Sequence, residues 1–235
     1  MSTWLVRLAG DTSDLEKLSA QLCSDNVKVD ARDGVYYLTS SCFHAVMGPS
    51  EVLTLTTELI GIIKSIFKVQ YNYFPHAEVG GINRLEDNGR ITQFILPNGI
   101  RSEVRFGMST LATYGDAIRT SQGSTILESK LAKAMRIPPA KKALRIYGLR
   151  EHNWHNLYNI FEAIQSDVGS KIIDEGWATN SEITMFTQTA NSEEAIGDEA
   201  RHGNQRVEPP KNPMSLTEAR LLIDRILENY LDSIG

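Results

Sequence analysis

Cysteine is scarce in this sequence: Cys23 and Cys42 are the two cysteines among its 235 residues. Two cysteines cannot build the disulfide framework that is typical of small secreted domains. They do not form a CxxC motif, and the sequence has no HExxH motif or other spacing typical of metal ligands. We therefore expect two free thiols in a reducing compartment, no metal site and no cofactor.

Long apolar runs are also missing. The most apolar stretch, residues 60–69, contains Lys64 and Lys68 and is far too short to cross a bilayer. The N-terminal stretch MSTWLVRLAG lacks the basic start, the long apolar run and the cleavage site of a signal peptide. These absences predict a cytoplasmic protein without a membrane partner.

Motifs of the common enzyme classes are absent as well. The sequence contains neither a phosphate-binding glycine loop with its lysine nor the G-x-S-x-G turn of a serine nucleophile. Hydrophobic residues make up 41% and charged residues 23% of the chain, which is ordinary for a folded globular protein. The chain is thus expected to fold, and its chemistry has to be sought in less specific patterns.

Residues 1–107 are predicted to form a sheet domain with two helices. Two pairs of β-branched and aromatic runs flank Asp33-Gly34 and Asn88-Gly89, which are both hairpin signals. Ser13 with Glu16 forms an S-x-x-E box that predicts a helix start, and Ser50 can begin a second helix. The predicted strands cover residues 4–8, 27–31, 35–39, 79–85, 90–96 and 100–106.

Residues 124–235 are predicted to be mostly helical, following a connector at 108–123. Apolar residues at helical spacing begin at Trp154, with a cap at Asn153. Ser215 and Glu218 form a capping box before the most regular amphipathic stretch of the chain. Residues 140–149 stay ambiguous between helix and strand. Together the two parts predict an α+β protein whose C-terminal helix lies in the core of a bundle or in a dimer interface.

The charge of the chain is unevenly distributed. The formal net charge is −5, which argues against indiscriminate coating of nucleic acid. Residues 130–150 nevertheless contain seven basic and no acidic residues, and residues 151–200 contain ten acidic residues and one basic. This asymmetry indicates an anion-binding face, with Lys141, Lys142 and Arg145 as candidate ligand-binding residues. The alternative is that the two blocks neutralise each other in the folded chain.

Two arginine–histidine combinations are candidate catalytic sites: Arg201 with His202, and Arg150 with His155. A guanidinium can bind a phosphate bidentately and stabilise the charge that develops on it. An imidazole can move the proton of an attacking hydroxyl, and RNA supplies that hydroxyl itself, so that no metal is needed. The alternative for both combinations is an ordinary surface role, as a helix cap or as a loop corner with an ion pair.

The run REHNWH resembles the signature of HEPN domains, in which a polar residue commonly follows an arginine and a histidine lies four to six residues downstream. Arg150 is followed by Glu151 here, and four residues separate it from His155. Arg201 and His202 are adjacent and depart from that spacing, although they lie late in the helical half, where the HEPN signature usually occurs. HEPN domains are small helical bundles, often dimeric, that occur in bacterial toxin and antiphage systems, and many are metal-independent ribonucleases.

Two functions are therefore predicted. The first is a bacterial protein that binds or cleaves RNA or another phosphate-bearing ligand; in the ribonuclease form implied by the resemblance, arginine holds the phosphate and histidine is the acid–base catalyst. The second is a non-catalytic interaction module of a larger bacterial assembly, which contacts a partner protein through the N-terminal sheet or the C-terminal helix, or forms a homodimer through that helix.

Overall fold

The chain is an α+β protein. The structure, a computed structural model, describes residues 3–95, 125–200 and 208–234. The chain divides into two compact units: the first contains residues 1–57 and 76–128, and the second contains residues 58–75 and 129–235. Several predictions lie outside the described residues: the strand at 100–106, the connector at 108–123, and the pair Arg201 and His202.

The first unit contains a five-stranded antiparallel sheet. Its spatial order is β2-β3-β1-β4-β5, and the first four strands with their two intervening helices follow the β-α-β-β-α-β connectivity of split βαβ units. A hairpin adds β5 beside β4. The strands are β1 (Thr3–Gly10), β2 (Val27–Arg32), β3 (Val35–Ser40), β4 (Ala77–Leu85) and β5 (Ile91–Phe94), and the helices are α1 (Thr12–Gln21) and α2 (Pro49–Tyr71).

Both predicted hairpins are confirmed. Asp33 and Gly34 have φ angles of 51° and 78° between β2 and β3, which is the left-handed conformation that a tight two-residue turn requires. Gly89 has a φ of 79° between β4 and β5. The alternating buried residues of β2 and β3 then lie on one face of the sheet, with Val6 of β1 beside Leu38 of β3.

The predicted capping box at Ser13 is wrong. Helix α1 begins at Thr12, and its N-cap is Asp11, two residues before Ser13, whose side chain was expected to cap the helix; the side chain of Asp11 forms no capping hydrogen bond. The buried carboxylate of Asp14 instead accepts a hydrogen bond from the backbone N–H of His76 at 2.8 Å. Asp14, on the first turn of α1, therefore holds the residue that precedes β4 in place.

The second unit is a bundle of helices. Helix α5 lies at its centre and packs against α4, α6, α7 and α9, with Leu157, Ile160 and Ile164 fully buried. Helix α2 ends in this unit, and α3 begins in the first unit and ends here. The remaining helices are α3 (Ile126–Ala134), α4 (Pro138–Leu149), α5 (Trp154–Val168), α6 (Lys171–Asp174), α7 (Asn180–Asn191), α8 (Glu193–Ile196) and α9 (Leu216–Ser233).

Residues 140–149, ambiguous from the sequence, are helical. Pro138 and Pro139 begin α4, because the first turn of a helix needs no N–H donor and proline has none. The caps predicted at Asn153 and Ser215 are both confirmed, the second as a complete capping box with Glu218. None of the helices in the described ranges is long and apolar enough to span a membrane.

Candidate functional site

Helices α2 and α4 approach each other closely in the second unit. A Cβ atom added at Gly148 would lie 1.9 Å from the carbonyl oxygen of Gly61, so only glycine fits there. Next to this crossing, the hydroxyl of Ser65 donates a hydrogen bond to the carbonyl oxygen of Leu144 at 2.6 Å. The C-terminal end of α4 is therefore fixed against α2, and the α4–α5 turn starts from a rigid position.

The α4–α5 turn, residues 150–153, is held by hydrogen bonds at several points. The side-chain oxygen of Asn153 caps α5 by accepting from the N–H of Asn156 at 3.0 Å. The guanidinium Nε of Arg220, on α9, donates to the carbonyl oxygen of His152 at 2.8 Å. The turn is thus tied to both α5 and α9, which gives its side chains defined positions.

His152 lies in this turn and packs against two aromatic side chains. Its ring stacks on Tyr147 with a centroid distance of 4.4 Å and an interplanar angle of 25°, and its Nε2 lies 2.8 Å from the carbonyl oxygen of Tyr147. Phe74 completes the wall, 5.6 Å from Tyr147 and 6.0 Å from His152 between ring centroids. We call Phe74, Tyr147 and His152 the aromatic wall.

Tyr147 is the buried member of the wall. Its hydroxyl donates a hydrogen bond to a carboxylate oxygen of Asp224 at 2.7 Å. Burial of the phenol, together with the negative charge of Asp224, raises the pKa of Tyr147 well above its ordinary value. The phenol therefore stays protonated and serves as a fixed support for the His152 ring, not as a group that exchanges protons.

The aromatic wall and the α4–α5 turn line a cleft of about 560 Å³, which we call the α4–α5 cleft. Its size lies in the range of about 300–1,000 Å³ that is usual for small-molecule sites. All of its lining residues belong to the second unit. Phe74 and His152 are half-buried, so part of each ring surface is open to the cleft.

Three cationic side chains line the cleft: Lys64 from α2, Arg150 from the turn and Arg220 from α9. Within the described residues, neither Lys64 nor Arg150 forms an ion pair. Two carboxylates, Glu151 and Glu199, line the same cleft. The cleft thus combines a small excess of positive charge with acceptor groups and an aromatic surface.

The residues predicted to bind a ligand are separated by the fold. Lys141 and Arg145 lie beside Glu58 of α2, at N···O distances of 3.4 and 3.9 Å, so the basic segment is partly neutralised within its own unit. Lys142 lines a different hollow, of about 600 Å³, together with Pro138 and Glu162. Among the described residues, its lining has one cation, one carboxylate and no aromatic side chain.

Of the two predicted catalytic pairs, Arg150 and His155 do not both line the cleft. Arg150 lines the cleft, whereas His155 lies exposed on the first turn of α5 and is not among the lining residues. The histidine that lies beside Arg150 in the cleft is His152. Arg201 and His202 lie outside the described residues, two and three positions after Glu199 in the chain.

His152, Phe74, Lys64 and Arg220 were not predicted from the sequence as site residues. His152 lies within REHNWH, between the predicted residues Arg150 and His155. The helix cap predicted at Asn153 was the signal in the sequence that this turn is ordered. The other three come from distant segments whose convergence no local pattern indicates. Within residues 3–95, 125–200 and 208–234, no group of three or more His, Cys, Asp or Glu side chains is placed to hold a metal ion.

No protein-family model matches the chain, and no curated protein and no solved structure is significantly similar to it.

Proposed function

We propose that the second unit binds a phosphate-bearing ligand, either RNA or a smaller molecule, in the α4–α5 cleft. The observation that carries the proposal is the convergence of Lys64, Arg150 and Arg220 on one concave surface of about 560 Å³. Arginine and lysine side chains around a concave site are the common means by which proteins hold phosphate groups.

Arg220 is pre-positioned for this role. Its Nε donates to the carbonyl oxygen of His152, which leaves both terminal amino groups of the guanidinium to a ligand. Lys64 is anchored on α2, and Arg150 is anchored at the end of α4, where its backbone N–H bonds to the carbonyl oxygen of Ile146 at 3.0 Å. Because the backbone at each of these positions is fixed, less ordering entropy is lost on binding.

The first prediction concerns two of the cleft cations. Replacing Lys64 and Arg150 by alanine together should weaken phosphate-ligand binding by about tenfold or more, because each charge-assisted hydrogen bond contributes about 1.5–3 kcal/mol. Fluorescence polarisation with a labelled RNA pool, and calorimetry with inorganic phosphate, would measure the change, and the affinity should fall as salt rises.

Arg136→Ala is the matched control, since Arg136 is exposed in the same basic segment but does not line the cleft. Binding equal in the wild type, the double variant and the control would contradict the proposed site. If the wild-type protein binds neither RNA nor phosphate at low salt, the proposed function is wrong.

RNA is the ligand that the HEPN resemblance implies, and RNA cleavage by Arg201 and His202 stays a proposal that rests on the sequence. It predicts that wild-type protein degrades a mixed RNA pool without added metal and that Arg201→Ala and His202→Ala each abolish the degradation. Gel analysis of the pool over time is the measurement. An RNA pool left intact by wild-type protein would rule out the catalytic form while leaving ligand binding open.

A protein partner or a homodimer through the C-terminal helix also stays a prediction. The apolar face of α9 is buried inside its own unit, and such an interface would have to use the outer face, where Leu221 is 64% exposed. The inward residues of α9 are Ala219, Leu222, Ile223, Ile226, Leu227, Tyr230 and Leu231.

A further inference from the structure

We propose that the α4–α5 cleft recognises a nucleotide unit, with the phosphate held by the cleft cations and the base stacked against the aromatic wall. The proposal rests on the proposed function and names the class of phosphate-bearing ligand. The observation that carries it is the presence of aromatic rings in the same cleft as Lys64, Arg150 and Arg220.

The aromatic wall gives the cleft a rigid, partly open π-surface. Tyr147 covers one face of the His152 ring at 4.4 Å and also holds it through its carbonyl oxygen at 2.8 Å. His152 therefore keeps one orientation, and the part of its ring that Tyr147 leaves uncovered borders the cleft beside Phe74. A flat nucleobase can stack on such a surface, whereas inorganic phosphate or a sugar phosphate gains little from it.

The carboxylates of the cleft favour the same class of ligand. Glu151 and Glu199 would repel a compact, highly charged anion such as a polyphosphate. A nucleotide places its phosphate at one end and carries hydroxyl and amino donors on its ribose and base. The two carboxylates can accept hydrogen bonds from those donors while the three cations bind the phosphate. One ligand can therefore interact favourably with both the acidic and the basic residues of the cleft.

The direct test compares three probes by titration calorimetry on the full chain: inorganic phosphate, ribose 5-phosphate and adenosine monophosphate. Stacking on a protein aromatic ring contributes about 1–3 kcal/mol per base, so adenosine monophosphate should bind at least about fivefold more tightly than ribose 5-phosphate. Nuclear magnetic resonance of the bound nucleotide should show upfield shifts of the adenine protons, because they would lie over a ring face.

Two variants separate the parts of the site. Phe74→Leu should bring the affinity for adenosine monophosphate closer to that for ribose 5-phosphate, because part of the stacking surface is lost, whereas Phe74→Tyr should retain the preference. Arg150→Ala should weaken all three probes together. The comparison of the three probes on the wild-type protein needs no variant, so it tests the proposal even if a substitution impairs folding.

A labelled RNA of ten nucleotides provides the last arm. If binding of adenosine monophosphate depends on Phe74, the cleft recognises a free nucleotide. If only binding of the RNA depends on Phe74, the cleft recognises a nucleotide that is part of a strand. Both results support the proposal. Equal affinities for adenosine monophosphate and ribose 5-phosphate, with an RNA affinity indifferent to Phe74→Leu, would overturn it and leave phosphate binding intact. Absence of binding by every probe would instead refute the proposed function.

Discussion

At the scale of single residues, His152 and His155 lie close together in the sequence but have different surroundings. His152 is stacked on Tyr147, bonded to its carbonyl oxygen and open to the α4–α5 cleft. His155 is exposed on the first turn of α5. A spacing rule that counts residues between an arginine and a histidine selects His155, whereas the fold presents His152 beside Arg150.

This difference gives a prediction for the two histidines. His152→Ala should lower the affinity of the cleft for a phosphate-bearing ligand by several-fold, because part of the aromatic wall is lost. His155→Ala should leave the affinity within about twofold, since an exposed side chain away from the cleft has little effect on it. Polarisation measurements with the same labelled RNA, after both variants are checked by circular dichroism, compare the two. The reverse order of effects would place the site at His155.

At the scale of secondary structure elements, the crossing of α2 and α4 determines where the α4–α5 turn begins. Gly148 is the residue at which the two backbones meet, with the carbonyl oxygen of Gly61 inside the volume that a Cβ would need. The contact is between backbone atoms, so no side-chain rotation relieves it.

Gly148→Ala is therefore expected to destabilise the protein by about 1–3 kcal/mol, because the helices must separate to admit one methyl group. Urea unfolding followed by circular dichroism measures the change in the free energy of unfolding. Gly48→Ala is the matched control, since a Cβ at Gly48 meets no atom within 4 Å. A variant at Gly148 as stable as this control would show that the helices do not approach as closely as described.

At the scale of the whole molecule, stability depends on carboxylates that are bonded in the folded state. The guanidinium of Arg225 on α9 donates to Glu182 on α7 at 2.6 Å, and with the backbone N–H of Thr179 it lowers the pKa of Glu182 from 4.5 to about 2. Backbone N–H groups of Cys23, Ser24 and Thr125 bond to the Glu128 carboxylate, and although burial opposes them, the pKa of Glu128 is also lowered.

A lowered pKa in the folded state means that the unfolded chain binds the proton more readily, so the stabilisation is complete above the unfolded pKa and is lost as the pH falls. For Glu182 this loss should occur between pH 4.5 and about 2. Because this ion pair is more than one-third exposed, we expect the loss to be about 1 kcal/mol or less.

Urea midpoints measured from pH 6 to pH 2.5 test this expectation. Glu182→Gln should flatten part of the acid dependence, whereas Glu228→Gln should not, because Glu228 is exposed and has no ion pair among the described residues. Identical pH profiles for wild type and Glu182→Gln would contradict the role given to the Glu182–Arg225 pair.

The sequence by itself determined the features that depend on neighbouring residues. Asp33-Gly34 and Asn88-Gly89 specify turns because few residues adopt positive φ, and Ser215 with Glu218 specifies the start of α9 because both partners of the capping box lie within one turn. Even at this range a local signal can fail, since the S-x-x-E box at Ser13 does not mark the start of α1, whose N-cap is Asp11.

The α4–α5 cleft was decided only by the tertiary structure. Lys64 and Phe74 lie far along the chain from Arg150, and Arg220 is distant from all three; only the packing of the helices in the second unit brings them to one surface. The same packing directs Lys141 and Arg145 towards Glu58, so that residues adjacent in a basic segment have different surroundings. Turns and caps involve atoms that are already neighbours, whereas a cleft involves atoms that become neighbours only when the helices pack.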